Sequence, residues 1–506
     1  MPQHQSIATY FHQRTKYDPA TLASKSGTLD WSQQPDPYKE YQIGVVRDLK
    51  PYLGMADSVQ NQPPDWLWWY RLSQLFLYSY GLTAKVPTVT GEIYYLRSAP
   101  SAGGLYPTEM YLVDTTGLWH YQPRTHSLTQ FWQDQQCWGN LADACFGHPA
   151  FGVTHLGIVL TTIFYRSAWR YQDRAYRRVF LDAGHLIGNI ELASALSDFR
   201  PHLIGGFADS LVNQLLFLDE SQETAIAVIP LQDLQTDLEI TGSFGCHTLP
   251  SPPSHPPHDI QEIADGELLY ALHSATVIPP EPRISPYCPV TADQPADKYN
   301  FPFCAKFSTV TPPIHWGEDL EDLSTTILRR RSTRAFSAGA IASSDLKSVL
   351  SFAYQPTDYV VQGLDGTPDY FDLSLIETFV AVVSVSGIEV GCYYYAPHAQ
   401  ELRQIRFKNF RKELHFLCLG QDLGRDASAV IFHTADLGKA LDKHGDRCYR
   451  YLHMDAGHLG QKINLAAVQL GIGVSGIAGF FDDQVNEVLG IPPAEAVLYI
   501  TTLGTR

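Results

Sequence analysis

Residues 170–186 (RYQDRAYRRVFLDAGHL) return as residues 443–459 (KHGDRCYRYLHMDAGHL), at a constant offset of 273. Nine of the seventeen positions are identical. The register continues without a gap to GGFADSLVN (205–213) and AGFFDDQVN (478–486). An internal repeat on this scale restricts the fold more than any local motif, because both segments must solve the same packing problem. The chain is therefore expected to be two copies of one fold joined head to tail. Either copy is free to lose a function that the other keeps, so the chemistry has to be sought half by half.

Length and composition support this. At 506 residues the chain exceeds what one hydrophobic core usually holds, and 44% apolar with 18% charged residues is ordinary for a packed protein. The formal charge of −17 is spread thinly. It argues against nucleic acid or an anionic membrane surface as a partner. The amino-terminal MPQHQSIATYFHQRTKY lacks the apolar core of a signal peptide, and no apolar run approaches the length of a membrane span. The eight cysteines (137, 145, 246, 288, 304, 392, 418, 448) contain no C-x-x-C pair. A reduced state and a cytoplasmic location are expected. No His/Cys cluster stands at metal-ligand spacing, so no metal is expected.

Each half repeats one order of elements. A polar start (10–25; 320–336) leads to a short amphipathic helix (66–82; 343–354) and a strand (110–114; 379–385). A Tyr-x-Pro hairpin signal follows (121–123; 395–397), then a strand (158–164; 428–434), the long repeat helix, and a closing strand (225–231; 496–503). Along the long helices the apolar positions Val179, Ala183, Leu186, Ile190, Ala193 and Leu452, Ala456, Leu459, Ile463, Ala466 bury one stripe. Strands and helices intermingle without βαβ alternation, which predicts an α+β fold. Residues 246–316 hold 14 of the 33 prolines and read as a stiff connector lying along the surface between the halves. The expected domains are 1–245 and 317–506, with 246–316 between them.

Three motifs carry chemistry. In Arg97-Ser98-Ala99-Pro100-Ser101-Ala102-Gly103-Gly104-Leu105-Tyr106-Pro107, prolines bracket small residues. Such a loop can bring N–H groups and a serine hydroxyl close to a flat polar ligand. Arg329-Arg330-Arg331-Ser332-Thr333-Arg334 places four arginines in six residues, a strong anion site because guanidinium forks match phosphate oxygens. Val474-Ser475-Gly476-Ile477-Ala478-Gly479-Phe480 is a Gly-rich turn after the second long helix. His185 and His458 are expected to be structural hydrogen-bonders, and Asp182 and Asp455 to pair with nearby arginines.

Together these residues resemble the FMN-dependent nitroreductase superfamily, and PSAGGLYP resembles its SagB/ThcOx-type dehydrogenase branch, here in a tandem, fused two-copy form. The resemblance covers roughly 1–245 and 317–506. It implies two tandem nitroreductase-like domains, each a central, mainly antiparallel sheet flanked by helices, packed as an internal pseudo-dimer. It also implies an FMN-dependent oxidoreductase in which two subunits share each flavin. Carried over by motif, Arg330, Arg331, Ser332 and Arg334 would hold the phosphate and ribityl chain. Gly476, Ile477, Ala478 and Gly479 would lie beside the ring, and Arg506 would add a phosphate contact. Pro100, Ser101, Ala102, Gly103 and Gly104 of the first half would cover the ring and chain.

The halves do not keep this kit equally. The first half's counterpart of the arginine clamp is Gln13-Arg14-Thr15-Lys16, and the second half's counterpart of the Pro-Ser loop falls near Asp369-Tyr370-Phe371-Asp372-Leu373-Ser374. One FMN per chain is expected, with NAD(P)H as a transient electron donor. The family's azoline oxidases carry a Lys-Tyr pair before Asp-Arg-x-Tyr-Arg; here the copies read Arg170-Tyr171 and Lys443-His444. Arginine is a poor base, which leaves Tyr171, Lys443 and His444 as catalytic candidates. The expected reaction is hydride transfer through flavin N5 on a small organic, nitro, quinone or heterocyclic substrate. Two alternatives stand beside it: azoline oxidation in peptide natural-product maturation, and a non-catalytic flavin-binding or scaffold protein. The substrate is a small molecule or a peptide, and further pairing into a homodimer stays open.

Overall fold

The computed structural model describes residues 6–25, 29–54, 62–87, 93–236, 248–252, 263–280, 296–302 and 304–506. Two seven-stranded sheets dominate it. In the first, the spatial order is Val45–Asp48, Ser127–Trp132, Gly117–Gln122, Thr108–Asp114, Leu156–Ile163, Glu223–Asp233 and Phe199–Pro201. In the second it is Lys306–Ser308, Glu401–Arg406, Gly391–Ala396, Glu377–Val382, Ala429–Asp436, Glu495–Gly504 and Gly473–Ile477. The two orders match strand for strand, and every pairing within them is antiparallel. This is the expected α+β architecture in two copies. Buried Tyr, Val and Ile run along both faces of the central strands, because helices cover each sheet on both sides.

The two long helices, Ala175–Ala195 and Cys448–Gln469, form the centre of the molecule. They lie side by side in the same direction and in the register of the repeat. Tyr176 faces Tyr449 with ring centroids 6.3 Å apart, Gly184 meets Gly457, and Gly188 meets Gln461. The pairs share the offset of 273, so a pseudo-twofold axis runs along the helix pair. Contact at the crossing is backbone to backbone. A Cβ on Gly184 would stand 2.0 Å from the Met454 carbonyl oxygen, and one on Gly457 2.3 Å from that of Leu181. The glycines retained in both copies of the motif are those that permit this approach.

The charged residues of the repeat lock the halves together. Arg174 and Arg177 reach across to Asp482 at 2.8 and 2.6 Å. Their counterparts Arg447 and Arg450 reach across to Asp209 at 2.7 and 2.8 Å. Every member of both triads is buried. Burial alone would push both aspartates up, but the paired guanidiniums outweigh it and hold each carboxyl below its ordinary value. Asp173 caps the helix Leu268–Ala275 by accepting from the Gly266 and Leu269 N–H groups. That helix lies within the segment expected to be a surface connector. Instead it buries Leu268, Leu269 and Leu272 against the core, and Thr276 at its end accepts from Arg447 and Arg450. The proline-rich stretches lie mostly outside the described residues.

Gly184→Ala or Gly457→Ala should therefore force the helices apart. Each is expected to cost at least about 2 kcal/mol, as overpacking of a close-fitting core does. Urea unfolding monitored by circular dichroism measures this, and a loss near zero would contradict the backbone contact.

Candidate functional site

Elements from both halves meet at one end of the first long helix. From the second half, the helix Glu321–Arg329 stops where Arg330 turns to an extended conformation. The following loop is pinned to the strand Gly473–Ile477: Thr333 N–H donates to the Val474 carbonyl at 2.8 Å, and its hydroxyl accepts from Val474 N–H at 3.0 Å. Phe336 packs where side chains on Gly473 and Gly504 would stand, closing the loop against the last two strands. Thr505 holds Ser337 and Gly339, which brings the exposed Arg506 beside the same loop.

From the first half comes the Pro-Ser loop. Gly103 and Gly104 adopt φ of 65° and 66°, the left-handed region that glycine enters without strain. Ser101 does not point outward. Its hydroxyl donates to Asp182 at 2.5 Å and accepts from Tyr106 N–H at 2.9 Å, while Ala102 N–H donates to the same carboxylate. Asp182 thus holds a loop, not an arginine as expected, and Asp455 does the same one repeat later by accepting from Phe371 and Asp372 N–H. Desolvation dominates both groups and pushes them up, Asp182 to about 7 and Asp455 to about 8.

The arginine clamp also departs from expectation. Arg330 is buried and donates through Nε to the Ser98 carbonyl at 2.7 Å, which ties the clamp to the loop; its Nη1 has no partner. Arg331 donates to the Thr83 and Leu328 carbonyls. Two of the residues expected to hold phosphate therefore spend donors on backbone carbonyls, although Arg330 keeps Nη1 free. Ser332 is half-buried and Arg334 exposed. Among the described residues no carboxylate lies within ion-pair distance of Arg330, Arg331 or Arg334.

The Gly-rich turn completes the place. Gly476 is exposed on its strand and bare because the Tyr499 hydroxyl stands 1.8 Å from where its Cβ would be. Tyr499 in turn reaches His185 Nε2 at 2.8 Å, and His185 Nδ1 lies 2.9 Å from Gln461 Oε1. Burial pushes His185 down to about 3, so the imidazole is neutral and acts as a structural relay. His458 is held by Glu191. Ile477 is buried, while Ala478 and Gly479 are half-buried. Opposite them lie Tyr171, whose hydroxyl is 2.8 Å from where a Gly103 Cβ would stand, and Arg178, whose guanidinium is 3.8 Å from a Gly479 Cβ.

Lys443 and His444 are elsewhere. Both contact Asp372, at 2.6 and 2.7 Å, on the opposite side of the helix pair from Tyr171. The structure separates these two catalytic candidates from the clamp and the Pro-Ser loop. Around Phe371 that second place is closely packed, beside a small cavity lined by Glu191, Leu203, Pro368, Asp369 and His458. Tyr451 stacks on Phe371 with centroids 5.0 Å apart and donates to the Gly205 carbonyl at 3.0 Å. Leu249 packs over Gly206, and Ser251 N–H donates to the His444 carbonyl. Gly205 and Gly206 are the repeat counterparts of Ala478 and Gly479. Two side chains next to these residues, Arg178 and Tyr17, were not singled out from the sequence. The signal for the first was present, since the aligned repeats set Arg178 against Tyr451.

No helix among the described residues is long and apolar enough to cross a membrane, and no group of three or more His, Cys, Asp or Glu side chains is placed to hold a metal ion. The Nitroreductase family profile matches residues 83–231 and 327–505. A crystal structure of a candidate nitroreductase from Anabaena variabilis is 57% identical, covers 99% of this chain and 100% of its own, and superposes with a TM-score of 0.91. A candidate nitroreductase of Methanocaldococcus jannaschii is 30% identical over 34% of this chain and 87% of its own length. The Microcin B17-processing protein McbC of Escherichia coli is 24% identical over 28% of this chain, and the match spans only 56% of McbC.

The two raised carboxyls generate a pH test. An unfolded aspartate titrates near 3.8, whereas the folded chain keeps these protons to about 7 and about 8. Across that window the folded state binds more protons than the unfolded, so this contribution to stability falls as pH rises. Asp182→Asn with Asp455→Asn should flatten the decline in thermal midpoint between pH 4 and 8; an unchanged slope would count against the buried protonated carboxyls.

Proposed function

The chain belongs to the nitroreductase family of oxidoreductases, and we propose that it is an FMN-dependent member with one flavin site per chain, built by both halves. The observation that carries this is the junction of the second half's clamp and Gly-rich turn with the first half's Pro-Ser loop, made at only one of the two repeat-related places. The residues fit the group. A buried Arg330 Nη1 without a partner, an uncompensated Arg334 and a bare Gly476 form a cationic cradle beside a backbone edge.

Ser332, Arg334 and Arg506 would hold the phosphate end, with Arg330 and Arg331 keeping the clamp seated on the first half. Gly476 to Gly479 would flank the ring from one side and Pro100 to Gly104 from the other. FMN bound there would supply hydride transfer at N5, and the protein would supply orientation and electrostatics. Asp182 keeps the Pro-Ser loop closed. Tyr171 and Tyr17 are the phenols beside Arg178. Burial would raise the Tyr17 phenol, but Arg178 and Arg174 outweigh it and pull it below its ordinary value, which suits a group that gives up a proton. A small nitro, quinone or heterocyclic compound is the expected substrate, with NAD(P)H as donor.

Similarity to McbC favours a second reading, azoline oxidation, in which Tyr171 takes the proton. Tyr171→Phe should then abolish oxidation of a thiazoline peptide while sparing nitroaromatic reduction. For the leading reading, the purified protein should carry close to one FMN per chain, and NAD(P)H should bleach it before a quinone restores the colour. Ser332→Ala with Arg334→Ala should weaken FMN at least about tenfold, the scale of one or two charge-assisted hydrogen bonds. A flavin content near two per chain would overturn the single-site arrangement.

A further inference from the structure

Arg178 is a buried cation, 6% exposed, without a direct ion pair among the described residues. Its hydrogen bonds are long, 3.5 Å to the Arg174 carbonyl and 3.3 Å to the Tyr17 hydroxyl. Its guanidinium lies 4.0 Å from the centroid of the Tyr171 ring and turns toward Gly479. Burying a charge without a counter-ion is unfavourable, and cation–π contact recovers only part of that cost.

Of the neighbouring carboxylates, Asp182 feels this charge, from beyond ion-pair distance. Arg174 and Arg177 are both committed to Asp482. Lys16 is committed to Asp483. Asp182, one turn further along, is turned to Ser101 and Ala102. The exposed Arg170, 5.3 Å from the Tyr171 ring centroid, adds a second positive group on the same side. Helix packing does not require an arginine at this position. The repeat counterpart, on an equivalent helix in an equivalent register, is Tyr451, which fills the space with an aromatic ring. Only the half that carries the Pro-Ser loop places a charge here.

We propose that Arg178, assisted by Arg170, binds a carboxylate on the organic substrate of this site. A carboxylate docked on the guanidinium would supply the missing counter-charge, and Tyr171 and Tyr17 on either side would favour a flat, aromatic acid. The assignment of the place as the substrate site rests on the oxidoreductase reading; the binding itself does not.

Calorimetric titration of the purified protein with benzoate, benzamide and adenosine 5′-monophosphate tests this, with flavin content followed separately by absorbance. Benzoate is expected to bind and its neutral isostere benzamide to bind at least about tenfold more weakly. Arg178→Gln should lose benzoate by a similar factor, and Arg178→Lys should recover part of it. Equal binding of benzoate and benzamide, or benzoate binding unchanged in Arg178→Gln, overturns the proposal. So does an Arg178→Gln protein that loses its flavin but keeps benzoate, which would make the residue part of the cofactor cradle. Arginine-dependent binding of the nucleotide alone would overturn it in favour of a phosphate. A protein without flavin that still discriminates benzoate from benzamide would sink the oxidoreductase reading and leave the anion site standing.

Discussion

The contact on which this molecule depends is the one between two backbones. At Gly184 and Gly457 the long helices approach so closely that either Cβ would overlap a carbonyl of the partner helix. The approach sets the pseudo-twofold axis, and the axis decides which loop of one half faces which strand of the other. The crossed ion triads at Asp209 and Asp482 then fix the halves against sliding. Helix sequence that looks like a catalytic signature, Asp-Arg-x-Tyr-Arg, is spent chiefly on this lock and on capping the helix at Leu268–Ala275.

Symmetric scaffolding carries asymmetric contents. Both halves hold a loop on a buried aspartate, and both place a glycine-containing turn opposite it. In one place the loop is Pro-Ser-Ala-Gly-Gly and an uncompensated Arg178 faces the turn. In the other, Phe371, Tyr451 and Leu249 pack about Gly205 and Gly206, and Lys443 and His444 both contact Asp372. A duplicated fold therefore yields two interfaces with different linings.

Much of this was legible in the residues. The repeat announced two copies, the repeated order of strands and helices with a 3.6-periodic stripe announced the layers, and the unequal motifs announced an unequal pair of sites. The roles of individual polar groups were less legible. Asp182 sits four residues from Arg178, an ordinary helical ion-pair spacing, yet its carboxylate turns to a loop 80 residues earlier in the chain. Arg330 and Arg331 read as free phosphate ligands, yet burial obliges them to find carbonyl acceptors. Lys443 and His444 occupy the same repeat position as Arg170 and Tyr171, and sequence alignment alone cannot tell the two sides of a pseudo-twofold axis apart.

By itself, the sequence determined the duplication, the α+β class, the family and the division of the Pro-Ser loop and the arginine clamp between the halves. These follow from local pattern and internal comparison, which survive without coordinates. Tertiary structure alone decided which donors each buried arginine still has free, which carboxyl is pushed up, and that Tyr451 stacks on Phe371 whereas its counterpart Arg178 meets Tyr171. Those are matters of desolvation and of partners far apart in the chain, and both come into existence only once the two helices have packed.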